Sequence, residues 1–166
     1  MLRADADIVA FRLVRRGYPA FDGSGAARWG GRWSRPGRAV IHAAETYSLA
    51  VLESLVHFNI GELPPKLEMI QISIPAGVSR EVLEPDALPG WDAAQPNPVS
   101  QDFGDRWYDE RRSCVLLVPS RLSPFERNVL IHAQHEDLRA IVVGAPHAVR
   151  LDERLRQRLG GGGTRP

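Results

Sequence analysis

Apolar residues in this chain fall mainly in short runs, and these runs predict the strands of a sheet. A run of four to eight residues that is apolar throughout, or alternates with polar residues, is typical of a strand when turn-forming residues bound it. Six segments have this pattern and are predicted as strands: residues 8–14, 38–43, 67–74, 114–118, 128–133 and 140–143.

One segment has clear helical periodicity. Residues 45–58 carry Leu49, Leu52 and Val56 at spacings of three and four, which predicts a helix with an apolar stripe on these residues. Glu53 stands four residues after Leu49 and three before Val56, so we expect its carboxylate on or beside the buried stripe.

The remaining segments are predicted from their composition. We expect a helix at 101–112 anchored by Trp107, a short helix at 151–159, an irregular glycine-rich segment at 17–37 that cannot form a regular helix, and a long loop at 76–98 with at most short helical turns.

Strands and helices alternate irregularly, without the even strand–helix rhythm of a parallel sheet. This order predicts the α+β class, with one domain built on a mixed or antiparallel sheet. We expect residues 1–159 to form the domain and the glycine-rich residues 160–166 to form a flexible tail.

Composition narrows the class of protein. The 166 residues are 43% hydrophobic and 25% charged, which is typical of a soluble globular domain. The formal net charge of +1 gives no support to a chain that binds nucleic acid by itself. No segment has the length of a membrane span, and the N-terminus lacks the hydrophobic region of a signal peptide, so we expect a cytoplasmic protein without membrane contact.

A metal centre is not expected. The single cysteine, Cys114, lies in an apolar run, where a buried structural thiol is the expected role. The five histidines include no pair with the spacing of a zinc-binding motif.

Four positions are candidates for chemistry, and each has a structural alternative. Arg32 follows Gly30 and Gly31, and such a segment can bring backbone and a guanidinium close to a phosphate, or it can be a packed loop with a solvated arginine. Arg12 lies inside an apolar strand, so it needs a ligand or partner, or reaches water at the strand edge. Glu53 is either a catalytic carboxylate or the partner of an arginine, and His42, at a strand end, is either a site residue or structural.

The order of several short motifs resembles the RES domain family over residues 10–159. The motifs, as they stand here, are Phe21-Asp22-Gly23-Ser24-Gly25-Ala26, Gly30-Gly31-Arg32-Trp33-Ser34, Ser48-Leu49-Ala50-Val51-Leu52-Glu53, Val118-Pro119-Ser120, Asn128 and Leu151-Asp152-Glu153-Arg154-Leu155. The arginine, glutamate and serine that name the family match Arg32, Glu53 and Ser120.

The resemblance implies a fold similar to ADP-ribosyltransferases and NAD⁺ as the substrate. It implies a toxin that either depletes NAD⁺ by hydrolysis or phosphorolysis, or transfers ADP-ribose to a protein such as phosphoribosyl pyrophosphate synthetase. By carry-over, Arg12 and Arg32 bind the NAD⁺ phosphates, Glu53 is the key acidic residue, and Ser120 and Asn128 line the pocket. The implied partner is an Xre-type helix-turn-helix antitoxin, and the complex rather than the toxin binds operator DNA.

One position departs from the family pattern. The family commonly has a tyrosine, thought to pack against the nicotinamide or its ribose, where this chain has His42. Histidine is also flat, and we expect its charge to change in the physiological pH range.

Two other classes stay open, and His42 is the feature that supports the first of them. One is a degenerate module that binds NAD⁺ or a related nucleotide without turnover. The other is an interaction protein in which Arg12, Arg32 and Glu53 form only an ion-pair network.

Overall fold

Eight strands form one sheet in the computed structural model, which describes residues 6–57 and 66–155. They are β1 (Ile8–Arg15), β2 (Val40–Ala44), β3 (Leu67–Ile74), β4 (Arg80–Val82), β5 (Val115–Pro119), β6 (Arg127–His132), β7 (Val142–Val143) and β8 (His147–Val149). The order across the sheet is β4-β5-β6-β2-β1-β3-β7, and β8 also pairs with β3. Strands β4 and β5 are parallel, and the other pairs are antiparallel. The predicted α+β class with a mixed sheet is confirmed.

Three α-helices accompany the sheet: α1 (Ser24–Trp29), α2 (Tyr47–His57) and α3 (Pro98–Asp109). Helix α2 begins after Thr46, whose hydroxyl accepts the amide of Leu49 at 3.1 Å. Helix α3 begins after Asn97, whose side chain accepts the amide of Ser100 at 3.2 Å. These caps satisfy amides that have no partner within the first turn of a helix.

All six predicted strands are present, each within two residues of its expected bounds, and β3 has the expected bounds. Two strands were missed. Strand β4, inside the predicted loop, pairs with β5, and β8 pairs with β3. Each has three residues, too few to show a period, and pairing with a distant strand determines its conformation.

The prediction that the glycine-rich segment contains no helix is wrong, because α1 lies within it. Only Gly25 falls inside this helix. Gly30 follows its last residue with φ of 66°, a conformation that ends a helix and favours glycine. Of the predicted helix at 151–159, residues 153–155 are helical; residues 156–159, and the tail at 160–166, lie outside the described residues.

Both faces of strand β5 are covered, and all five of its residues are buried. Val115 and Leu117 pack into an aliphatic cluster with β1, β2, β3 and β6, whereas Leu116 and Val118 face a cluster that contains three tryptophans. Cys114 is fully buried, and burial raises the pKa of its thiol to about 12, which confirms a structural and un-ionised thiol. Trp107, the predicted anchor of α3, is also buried.

Helix α2 packs on the sheet mainly through its N-terminal half. Leu49 and Ala50 are buried, whereas Leu52 and Val56 are 40% and 60% exposed, so the prediction that these two belong to the buried stripe is wrong. Ala50, Glu53 and Ser54 lie on the face of α2 that covers a cavity, described below. Because this face is turned to the cavity, Leu52 and Val56 lie outside the core.

Residues 6–57 and 66–155 contain no helix with the length and apolar character needed to cross a membrane. Nor do these residues contain a group of three or more His, Cys, Asp or Glu side chains that could hold a metal ion.

Helix α3 approaches the backbone of the segment that follows α1. A Cβ atom added at Gly104 would lie 1.8 Å from the carbonyl oxygen of Trp33, so only glycine allows this contact.

We predict that Gly104→Ala lowers the free energy of unfolding by about 1–3 kcal/mol, because backbone must move to admit the methyl group. Urea unfolding measures this. Gly25→Ala, where an added Cβ meets nothing within 4 Å, is the matched helical control and should not destabilise the protein. Equal stability of the wild type and Gly104→Ala would contradict the close contact.

Candidate active site

A cavity lies where the sheet opens between β1 and β2. Strand β1 pairs with β3 at eight consecutive positions but with β2 only at Phe11 and Ala44. The cavity beside this opening has a volume of about 160 Å³. Its polar wall consists of Arg12, His42, Glu53, Ser54, His57 and Asn128.

Glu53 is held by two donors at one of its oxygens. Its Oε1 accepts Nδ2 of Asn128 at 2.6 Å and the hydroxyl of Ser120 at 3.1 Å. No described residue bonds its Oε2. A carboxylate fixed through one oxygen presents the other to the cavity, where it can bond a hydroxyl or stabilise a positive charge.

Ser120 lies behind Glu53 and not in the cavity wall. It is 2% exposed, and its oxygen accepts the amides of Leu122 at 3.1 Å and Ser123 at 3.2 Å. Because these two amides occupy the lone pairs, the hydroxyl hydrogen is left to point to Glu53. Ser120 is therefore fixed as a donor to the carboxylate.

A second carboxylate connects the two elements that meet at Glu53. Oε1 of Glu126 accepts the hydroxyl of Thr46, the cap of α2, at 2.5 Å, and its Oε2 accepts the hydroxyl of Ser123 at 2.6 Å. These bonds, Ser123 first, lower the pKa of Glu126, so it stays ionised. Glu126 thus joins the start of the helix that carries Glu53 to the turn that carries Ser120.

Arg12 crosses the opening in the sheet. Its Nε donates to the carbonyl oxygen of Ala20 at 3.0 Å and its Nη1 to that of His42 at 2.7 Å. Among the described residues it forms no ion pair. Burial lowers the pKa of Arg12, against the opposing charge of Asp22. The guanidinium supplies a bond to a β2 carbonyl and leaves Nη2 without a described partner.

His42 is uncharged at neutral pH. Burial, and then the electrostatic effect of Arg12 and His57, lower the pKa of His42 to about 4. The expectation that its charge changes in the physiological range is therefore wrong. The imidazole is a flat neutral ring in the cavity wall.

Arg32 is held by a turn on the other side of the site. Its Nη1 donates to the carbonyl oxygens of Trp91 at 3.0 Å and Ala93 at 2.8 Å. Gly31, directly before it, lies beside His42, since a Cβ there would be 3.8 Å from the imidazole. The structure thus brings the glycine-rich motif next to the cavity, although Arg32 itself is outside the wall.

The structure does not show the alternative in which Arg12, Arg32 and Glu53 form an ion-pair network. The described ion pairs include none of these three residues. Two wall residues, Ser54 and His57, were missed by the sequence analysis. Their positions, one and four residues after Glu53 on α2, were the available signal.

Comparisons with known proteins identify the family. The family model described as RES domain matches residues 9–152. The chain is 44% identical over 131 residues to a protein named Prs ADP-ribosylating toxin from Sphingobium sp. (strain YBL2), covering 76% of this chain and 81% of that one. It is 33% identical over 153 residues to a protein named Toxin Res from Yersinia enterocolitica, covering 90% and 100%.

A solved structure shares the fold. The crystal structure of the M. tuberculosis MbcT–MbcA toxin–antitoxin complex contains a chain that matches with a TM-score of 0.66 and 19% sequence identity, covering 94% of this chain and 90% of that one. The family match covers most of the chain, and the relatives match most of their own length. The chain therefore belongs to the RES domain family.

Proposed function

We propose that this chain is the toxin of a toxin–antitoxin pair and that it cleaves the bond between nicotinamide and ribose in NAD⁺. The observation that carries the proposal is Glu53, a carboxylate fixed through Oε1 in the wall of a small cavity. The names of the relatives, which include ADP-ribosylating toxin and Toxin Res, support it.

The cavity suits one aromatic ring. A protein cavity of about 150 Å³ holds a molecule the size of benzene, and this one measures about 160 Å³. In the proposed mode the nicotinamide enters it beside the flat ring of His42. A neutral imidazole is suitable here, because a cationic one would repel the positive charge of the pyridinium.

The chemistry assigned to Glu53 is electrostatic. When the bond between the ribose C1′ and the pyridinium nitrogen breaks, its electron pair stays with the nitrogen and neutral nicotinamide leaves. Positive charge develops on the ribose, as in glycoside hydrolysis. The free Oε2 of Glu53 stabilises this charge or holds a ribose hydroxyl, while Asn128 and Ser120 fix Oε1.

The phosphates of the dinucleotide are assigned to arginines. In the proposed mode Arg32 and, through its remaining Nη2, Arg12 bind them and so fix the substrate; the guanidinium groups, each with N–H donors left after their bonds to carbonyls, support this assignment. No metal is part of the proposal.

The acceptor of the ADP-ribose distinguishes the reactions. Transfer to a protein is our first candidate, because the relative at 44% identity is named for ADP-ribosylating Prs, which points to phosphoribosyl pyrophosphate synthetase. Water or inorganic phosphate as acceptor would instead deplete NAD⁺. A cytoplasmic antitoxin of the helix-turn-helix type is the proposed partner, and the match to a toxin chain from a toxin–antitoxin complex supports an antitoxin.

We predict that Glu53→Gln lowers nicotinamide release from NAD⁺ by about 100-fold or more, since the variant keeps the shape and the Oε1 acceptor but loses the charge. The assay compares purified folded proteins. Glu136→Gln, on an exposed turn, is the matched control and should keep full activity. Full turnover by Glu53→Gln would overturn the assignment.

The wild type and Glu53→Gln, induced in cells, also test which acceptor receives the ADP-ribose. After brief induction, collapse of the NAD⁺ pool with the wild type alone identifies water or phosphate. Growth arrest with NAD⁺ largely intact, together with labelling of a protein by ADP-ribose, identifies protein transfer. NAD⁺ binding without nicotinamide release would instead identify the degenerate binding module.

We predict that Ser120→Ala lowers kcat by up to about 100-fold with little change in KM for NAD⁺, because the loss of one of two donors lets the carboxylate move. Ser120→Thr keeps the hydroxyl and should restore part of the rate. Steady-state kinetics measure both. A rise in KM without a fall in kcat would show that Ser120 binds the substrate and does not position Glu53.

The lowered pKa of His42 predicts a pH dependence of stability. Its folded value of about 4 lies below the ordinary 6.5, so between these values the unfolded chain binds a proton that the folded chain does not. The free energy of unfolding is therefore complete above pH 6.5 and falls as the pH drops towards 4, by about 3 kcal/mol from this group. Urea unfolding measures the free energy of unfolding of the wild type and of His42→Gln, and the difference between the two should change by this amount over this pH range. A difference that stays constant with pH would contradict the neutral, half-buried imidazole.

A further inference from the structure

Two arginines share one turn at the edge of the site. Arg32 donates to the carbonyl oxygens of Trp91 and Ala93, and Nε of Arg121 donates to that of Asp92, between them, at 2.9 Å. Three consecutive carbonyls therefore hold two guanidinium groups next to each other. Arg121 directly follows Ser120, the donor to Glu53, so the pair lies close to the candidate catalytic carboxylate.

The two arginines differ from three others in the described residues, which are ion-paired. Arg127 bonds both oxygens of Glu84, Arg38 bonds Asp109, and Arg112 bonds Glu81. Within residues 6–57 and 66–155, neither Arg32 nor Arg121 has a carboxylate at ion-pair distance, and each keeps two nitrogens without a described partner. Five N–H donors on each group, in a planar fork, are suited to phosphate oxygens.

Arg32 and Arg121 carry like charges, and these repel each other. Burial, and then the positive charge of Arg121, lower the pKa of Arg32, while Glu53 and Asp92 act in the opposite direction. A pair of like charges that the fold holds together is stabilised by an anion bound between them.

The turn that holds the pair is anchored to the core and to the start of α3. Trp91 is buried and stacks on the buried ring of Trp33, with ring centroids 5.8 Å apart and an angle of 20° between the planes. Asn97 donates to the carbonyl of Gly90 at 2.9 Å, directly before the turn. A phosphate would therefore meet donors that are already in place, which lowers the entropic cost of binding.

We infer that Arg32 and Arg121 together clamp the diphosphate of the dinucleotide substrate. The inference rests on the proposed function and adds Arg121 as a residue that determines affinity for the substrate. Arg12 differs from this pair, since two of its nitrogens already bond the carbonyls of Ala20 and His42 across the opening of the sheet.

The first test uses ADP, which carries a diphosphate but no nicotinamide, so it reports on the clamp without turnover. Isothermal titration should show ADP binding to Arg121→Ala about 10-fold to 100-fold more weakly than to the wild type. Arg121→Lys keeps the charge but not the fork and should fall between them. Arg139→Ala, at an exposed position outside the cavity wall, is the matched control and should bind like the wild type. Adenosine, which lacks phosphate, should not distinguish the variants.

The second test uses NAD⁺. Arg121→Ala should raise KM for NAD⁺ about 10-fold or more while kcat changes little, because the clamp holds the substrate equally in the ground and transition states. Equal ADP affinity of the wild type and Arg121→Ala would overturn the inference even if NAD⁺ is consumed. Inorganic phosphate added to the same NAD⁺ assay tests the other source of the anion. If Arg121→Ala loses only a stimulation of the rate by inorganic phosphate and keeps its KM for NAD⁺, the pair binds the free ion and the inference is overturned.

The two proposals fail separately. If ADP binding depends on Arg121 but no nicotinamide is released from NAD⁺, the clamp stands and the proposed function is wrong. If nicotinamide is released and ADP does not bind the wild type at millimolar concentration, the function stands and the clamp is wrong.

Discussion

Strands β1 and β2 pair at one position, and the guanidinium of Arg12 crosses the gap that this leaves in the sheet. A fully paired β1–β2 ladder would close the space in which the cavity lies. The opening instead leaves backbone carbonyls without strand partners, and a buried polar group without a hydrogen bond is costly. Arg12 bonds one such group, the carbonyl of His42, and also the carbonyl of Ala20 in the segment after β1, at the cost of a largely desolvated charge. The same opening explains helix α2, whose cavity-facing side carries Glu53 and Ser54 where a fully packed helix would carry apolar residues.

The geometry of Glu53 depends on elements that are far apart in the sequence. Its Oε1 is fixed by Ser120 at the end of β5 and by Asn128 on β6, more than 60 residues away along the chain. Glu126 ties the cap of α2 to the turn after β5, so the helix and the hairpin are connected at two places. The carboxylate is therefore positioned only once α2, β5 and β6 have packed together. Such preorganisation is what electrostatic stabilisation of a developing charge requires.

Local pattern was sufficient for much of the fold and for part of the site. An apolar run located β1, alternation located β3, and the spacing on α2 put Glu53 beside the buried Leu49 and Ala50, because these signals lie within a few residues. Strand β4 depends on pairing with β5, and the exposure of Leu52 depends on a cavity under the helix, so neither has a local signal. Ser120 and Asn128 were named only through the family resemblance. The Glu126 bridge and the turn that gathers Arg32 and Arg121 arise from tertiary contacts that no short motif encodes.

The departure at His42 is smaller in physical terms than in sequence. A tyrosine in this position offers a flat ring without charge at neutral pH, and the fold gives the imidazole the same two properties. Burial, and then the electrostatic effect of Arg12 and His57, keep the ring neutral, so the residue does not add a cation to a wall that already contains the half-buried guanidinium of Arg12. In the proposed binding mode, the cationic nicotinamide ring would then lie beside a neutral aromatic surface, with Glu53 as the negative charge of the wall. Replacement of tyrosine by histidine is thus compatible with a functional site, because desolvation of the ring first, and the neighbouring groups second, keep the imidazole neutral.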